Sequence, residues 1–190
     1  MRRRRTHFVT RDRRIGILSL ATVCAALLCT SMWHAAIAGE ASAKRTKIVV
    51  FDFELEDKSA GGGIIPPDSH DIQYLSQATA EAKRLLVGSG RYEIVPSDQV
   101  DLAAIEQYGI RSCGDCKDKI AQQVGGDQTM VGLITRINRT EYTLLIQITD
   151  ARTGSVISTS FTSLRMGANY AWPRGVKWLM ENQVLRKLRS

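Results

Sequence analysis

Cys113-Gly114-Asp115-Cys116 is the one constellation in this chain with chemistry of its own. Two thiols at this spacing can close a small disulfide, exchange disulfides, ligate a metal or attach haem. Haem attachment requires a His directly after the second Cys, and Lys117 stands there. Structural zinc needs two more ligands, and beyond residue 38 the chain has no further Cys and a single His, His70. An exchange site favours a CxxC at a helix start directly after a central strand. Here the pair follows a Gly109-Ile110-Arg111 connection, although a helix over 115–124 would still offer a thiolate-stabilising N-terminus. The pair reads as a local disulfide that pins the start of that helix. Thiol-disulfide exchange, or a part in electron transfer, is the alternative. No cofactor and no metal is expected.

Three other groupings carry polar chemistry. Asp52, Glu54 and Glu56 alternate beside Asp57 and the Gly61-Gly62-Gly63 loop, where ligands often meet α/β sheets. With only His70 as a further partner, they read as a solvated strand face with Asp52 capping a neighbouring backbone group. The glycines lack the G-x-x-x-x-G-K-(S/T) context of a phosphate loop. Tyr170, Trp172, Arg174 and Trp178 concentrate aromatic and guanidinium groups where the last helix begins, and these residue types are enriched among interface anchors. A Trp before Pro173 can equally cover the end of the core. Tyr170, Trp172, Arg174 and Asp52 are the candidate binding residues; none is assigned a catalytic role.

Periodicity supplies the elements that would hold these residues. Ile48 to Leu55 is a β-branched and aromatic run, read as a buried first strand. The glycines and Pro66-Pro67 form a loop. A helix then starts near Asp68 to Asp71, carries Ile72, Leu75, Ala78, Ala82, Leu85 and Leu86 on one stripe, and ends at Gly88 to Gly90. Arg91 to Val95 is a second strand stopped by Pro96. Ser97 offers an N-cap for a helix reaching Tyr108, and a short helix follows over Asp115 to Val124. Three antiparallel strands come next. Thr129 to Ile137 places Val131, Leu133 and Ile137 on one face, and Tyr142 to Ile148 does so with Tyr142, Leu144, Ile146 and Ile148. Val156 to Leu164, rich in Ser and Thr, is expected at a solvated edge. Pro173 opens a last helix with Val176, Leu179, Met180 and Val184 inward. The order β-α-β-α-α-β-β-β-α is that of an α/β (α+β) domain with a single mixed sheet covered by helices.

The amino terminus reads as an export signal. Seven arginines and one acid occupy the first fourteen residues, and charge then stops from Ile15 through Ala38. The run ends in Ala36-Ile37-Ala38, the small-x-small pattern of signal peptidase, so cleavage near Ala38 is expected rather than retention as an anchor. Neither Ala21-Thr22-Val23 before Cys24 nor Ala26-Leu27-Leu28 before Cys29 supplies a lipoprotein triplet. Residues 1–38 are thus a signal peptide, 39–46 a polar spacer and 47–190 one domain in the periplasm, with no integral membrane span after cleavage. The net charge of +7 belongs mostly to the signal; 19 basic and 18 acidic residues remain, which removes the case for nucleic acid as a partner. In an oxidising compartment, a disulfide is the default state of Cys113 and Cys116.

The stretches I-V-V-F-D-F, G-S-G-R-Y-E-I-V, G-G-D-Q-T-M-V-G and D-A-R-T-G-S-V-I, in this order, resemble the curli secretion lipoprotein and TolB amino-terminal type of envelope domain. From Phe51 through Val176 the chain is similar to an exported proteobacterial family of unknown function. That resemblance implies a mixed sheet covered by helices and a non-enzymatic accessory role, in which the domain binds another envelope or periplasmic protein or assists assembly. It carries over no catalytic residue.

Overall fold

The computed structural model describes residues 44–64, 66–97, 109–165 and 172–188. The expected signal peptide, the expected helix after Ser97 and Tyr170 lie outside the described residues. One six-stranded mixed sheet organises the domain. Strand β1 (Thr46–Val50) lies between β3 (Tyr92–Ile94) and β4 (Gln128–Arg136), parallel to both. Strands β5 (Glu141–Asp150) and β6 (Val156–Arg165) extend the sheet antiparallel, giving the order β3-β1-β4-β5-β6. The expected meander of three strands is present, and the Ser/Thr-rich β6 is indeed at the edge. The expected fold class holds.

The first strand departs from expectation. The run read as one strand breaks after Val50 and resumes as β2 (Glu54–Asp57), also parallel to β4. Val50 pairs with Met130 and Glu54 with Leu133, so three residues, 51–53, stand opposite two, 131 and 132. This is a one-residue bulge, and it swaps the faces. Ile48 and Val50 point to the first face with Phe53, whereas Val49 and Phe51 point to the second. Continued alternation would have buried Asp52; the bulge leaves Asp52 exposed and buries Phe53. Phe53 N–H donates to the hydroxyl of Thr79 (2.9 Å).

The first face carries the main core. Helix α1 (Ser69–Gly88) starts where the sequence predicts, with a reciprocal cap: Asp71 N–H donates to Asp68 (2.9 Å) and Asp68 N–H to Asp71 (3.4 Å). It packs Ala78, Ala82, Leu85 and Leu86 on Ile48, Val50 and Met130. Ile72, expected in that stripe, is exposed, and Asp71 is buried in its place on the first turn. Helix α3 (Trp172–Leu179) continues through a π-turn, Met180–Val184, and a last turn, Leu185–Lys187. Its Val176, Leu179, Met180 and Val184 join the same core with Tyr142, Leu144, Ile146 and Ile148 of β5, all as expected. On β4 Met130 and Ile134 enter this core, while Val131 and Leu133, expected to share one face, do so on the second. A central strand buries both faces, and Ile137 lies beyond its end, exposed.

On the second face a smaller core gathers Val49, Phe51 and Val131 under Ile110 and under Ile120 and Ala121 of helix α2 (Cys116–Gln123). Farther across this face, Leu133 pairs with Leu145 and Leu145 with Phe161 across β4, β5 and β6.

Candidate functional site

The segment from Gly109 to Cys116 lies on the second face and is held from both ends. Cys113 and Cys116 form a disulfide with Cα atoms 5.6 Å apart, and Cys116 opens α2. At the other end Ile110 is 2 % exposed, and its N–H donates to the Glu54 carboxylate. Arg111 reaches Glu54 with Nε (3.2 Å) and Glu56 with Nη1 (3.3 Å). Burial pushes the Glu56 carboxyl up, but Arg111 and Lys58 outweigh it and hold Glu56 below the ordinary glutamate value. Glu54 and Glu56 are therefore anchors for the disulfide segment rather than an open carboxylate face, and Asp52 is not grouped with them.

Because the anchoring does not depend on the sulfur bridge, and because a loop this short constrains the unfolded chain little, the Cys113→Ser/Cys116→Ser variant should lose at most about 2 kcal/mol. Urea unfolding checks this. A loss of about 4 kcal/mol or more would show the bridge to be the main anchor.

A second polar centre lies at the carboxyl ends of β2 and β4, which sequence reasoning missed. Arg136 donates from Nη1 to Asp57 (2.9 Å), from Nη2 to Asp71 (2.5 Å) and from Nε to the Tyr142 hydroxyl (3.2 Å). One guanidinium thus ties β4 to β5, to the end of β2 and to the first turn of α1. Burial pulls the Arg136 pKa down, but the bonds to Asp71, Tyr142 and Asp57 dominate and raise it above its ordinary value. Hydrogen bonds from Ser59, against the opposing effect of burial, together with Arg136 hold Asp57 below the ordinary carboxylate value. The signal available in the sequence was the Asp68/Asp71 spacing of a capping box; nothing local points Asp57 or Arg136 toward it.

Beside this centre is an open cleft of about 510 Å³ bounded by Asp57, Ser59, Asp68, Arg136, Arg139 and Tyr142. A smaller one of about 290 Å³ lies under Ile64, Pro66 and Pro67. Two charged groups of this cleft, Asp57 and Arg136, are paired with each other, an arrangement suited to bracing the loop. Among the described residues no group of three or more His, Cys, Asp or Glu side chains is placed to hold a metal ion. None of their helices is long and apolar enough to cross a membrane.

The aromatic group at the last helix is divided by the structure. Trp172 is 3 % exposed and sits between Tyr74 (ring centroids 5.9 Å apart) and Tyr142 (5.7 Å). It belongs to the core and leaves the candidate contact surface, because a helix opening at Trp172 turns its first side chain onto the sheet. Arg174 is exposed, and Trp178, one turn later, is 50 % exposed.

Comparison with known proteins gives a family and no activity. Residues 46–184 match a family model described as a protein of unknown function (DUF2380). No curated protein matches the chain. Among solved structures, the C-terminal domain of LpoB from Escherichia coli is 19 % identical, covering 68 % of this chain and 88 % of that one with a TM-score of 0.45. Lipoprotein GNA1162 from Neisseria meningitidis is 17 % identical, covering 76 % and 97 % with a TM-score of 0.44. TolB from Acinetobacter baumannii is 14 % identical, covering 76 % and 28 % with a TM-score of 0.43. With a match running from the first strand to the π-turn of the last helix, the chain belongs to the family DUF3280, described as protein of unknown function (DUF2380).

Proposed function

We propose that this chain is a non-enzymatic accessory protein of the bacterial envelope, exported to the periplasm and cleaved near Ala38, that works by binding another envelope protein. The observation that carries the reading is the outer side of α3. Trp178 is half exposed there with Arg174 one turn before it, while Val176 and Leu179 on the inner side are buried. An exposed Trp and Arg on a helix locked into the core lose little freedom on binding, which is what makes these residue types effective anchors. Tyr170, just before the helix, and the exposed Asp52 are the further contacts proposed. The export signal supports the location.

Affinity capture from envelope extract tests this. Trp178→Ala and Arg174→Ala should each reduce the captured partner about tenfold or more with the melting temperature unchanged. Undiminished capture by both variants would sink the reading.

A second reading, thiol-disulfide exchange, is favoured by the partly exposed cysteines at the start of α2. A reduction potential below about −300 mV would mark the bridge as structural and exclude it.

A further inference from the structure

We infer that the π-turn of the last helix sets an edge latch: it turns Gln183 and Lys187 over β6 and keeps that strand from taking on a strand of another chain. β6 ends the sheet, with no strand on its outer side among the described residues. From Val156 to Leu164 it carries neither charge nor proline, and Val156, Ile157 and Phe161 are exposed. A long, uncharged edge rich in β-forming residues is a template for strand addition unless something covers it.

Two side chains occupy the acceptors such a strand would need. Gln183 Nε2 donates to the Phe161 carbonyl (3.1 Å), and Lys187 Nζ donates to the Thr159 carbonyl (2.6 Å) and the Ser160 hydroxyl (3.3 Å). The register fixes the direction of these carbonyls. Met130 bonds back to β1 through Phe51 N–H, so the odd residues of β4 bond β5 and the even residues of β5 bond β6. Ser158 and Ser160 therefore turn their backbone groups to β5, and Thr159 and Phe161 turn theirs outward. A strand added to β6 would have to displace both donors.

The π-turn is what brings them there. An unbroken α-helix would repeat its inward positions Val176 and Met180 seven residues on, at Gln183 and Lys187, and would drive an amide and an ammonium toward the core. The extra residue of a π-turn rotates all later positions by about 100°. Val184, 1 % exposed, and Leu188, packed against the core, take the inward places, and Gln183 and Lys187 move to the β6 side.

The test removes both donors and leaves the inward positions untouched, with a second copy of the chain as the strand available to β6. In sedimentation from about 1 to about 100 μM, Gln183→Ala/Lys187→Ala should self-associate at least about tenfold more tightly than wild type while still melting cooperatively. Its amide I infrared spectrum should gain the band of intermolecular antiparallel sheet. Thr159→Pro in that background deletes an outward N–H that β5 does not use, and Thr159→Lys places a charge on the same edge; each should return association to the wild-type level. Lys187→Ala alone should tighten association at least about threefold, and it decides the matter if the double variant does not melt cooperatively. Association no tighter than wild type in whichever of these variants folds, or association that neither Thr159 substitution reduces, would overturn the inference.

Discussion

Replacing Arg136 by Met should destabilise the domain by about 3 kcal/mol and lower its melting temperature by about 6 to 12 °C. The substitution keeps most of the apolar stem and removes the guanidinium. Asp57 and Asp71, with side chains 16 % and 11 % exposed, are then left charged, mostly buried and without their cation. The cost of stranding a buried carboxylate, rather than the intrinsic worth of the ion pair, sets the magnitude. Residual water contact of all three side chains places it toward the lower end for such disruptions. The combined variant Arg136→Met/Asp57→Asn/Asp71→Asn should therefore recover much of the loss.

The pH dependence has a defined sign. The Asp57 pKa is lowered in the folded state, so its contribution is fully present above the unfolded carboxylate value and is lost as pH falls through the folded one. Wild type should lose this increment below about pH 4, and the Arg136→Met variant should lose less. Thermal melts at neutral and acidic pH decide it; equal acid sensitivity of the two proteins would show that the centre is not electrostatically coupled.

A second large effect is expected at Gly132. A Cβ there would lie 2.3 Å from two ring carbons of Phe53, which is 3 % exposed and has no room to turn away. Gly132→Ala should cost about 3 kcal/mol, the upper end for overpacking, because the ring must leave its place or the strand must shift. Phe53→Leu alone also destabilises by opening a void. In the double variant the added methyl should occupy part of that void, giving a favourable coupling of about 1 to 3 kcal/mol in urea unfolding. Strict additivity would mean that the two positions do not meet across the bulge.

Much of the architecture is local and so legible in the residues. The start of α1 was readable because Asp68 and Asp71 complete their own cap within one turn. The inward set Val176, Leu179, Met180 and Val184 follows from helical spacing, and the edge position of β6 from its Ser and Thr content. The disulfide was readable from the spacing of two cysteines and from the lack of other partners for them. The fate of Trp172 was not, because covering the core and meeting a partner demand the same residue type; only the rings of Tyr74 and Tyr142 on other elements decide it.

The amino-acid sequence by itself determined the helix after the first strand run, the later run of three strands and the last helix, and the pair of cysteines, since each depends on residues within a few positions of one another. The tertiary structure decided what the charged groups do. Period-two alternation predicts Asp52, Glu54 and Glu56 on one side of one strand. The bulge that separates Asp52 from the others exists because α1 supplies the Thr79 hydroxyl to Phe53 N–H and Gly132 leaves room for the ring. Likewise, the anchoring of Ile110 and Arg111 by Glu54 and Glu56, and the joining of Asp57 and Asp71 by Arg136, bring together residues far apart in the chain. No local propensity encodes such contacts. They appear only when the sheet, by burying its two faces, sets these side chains within reach of one another.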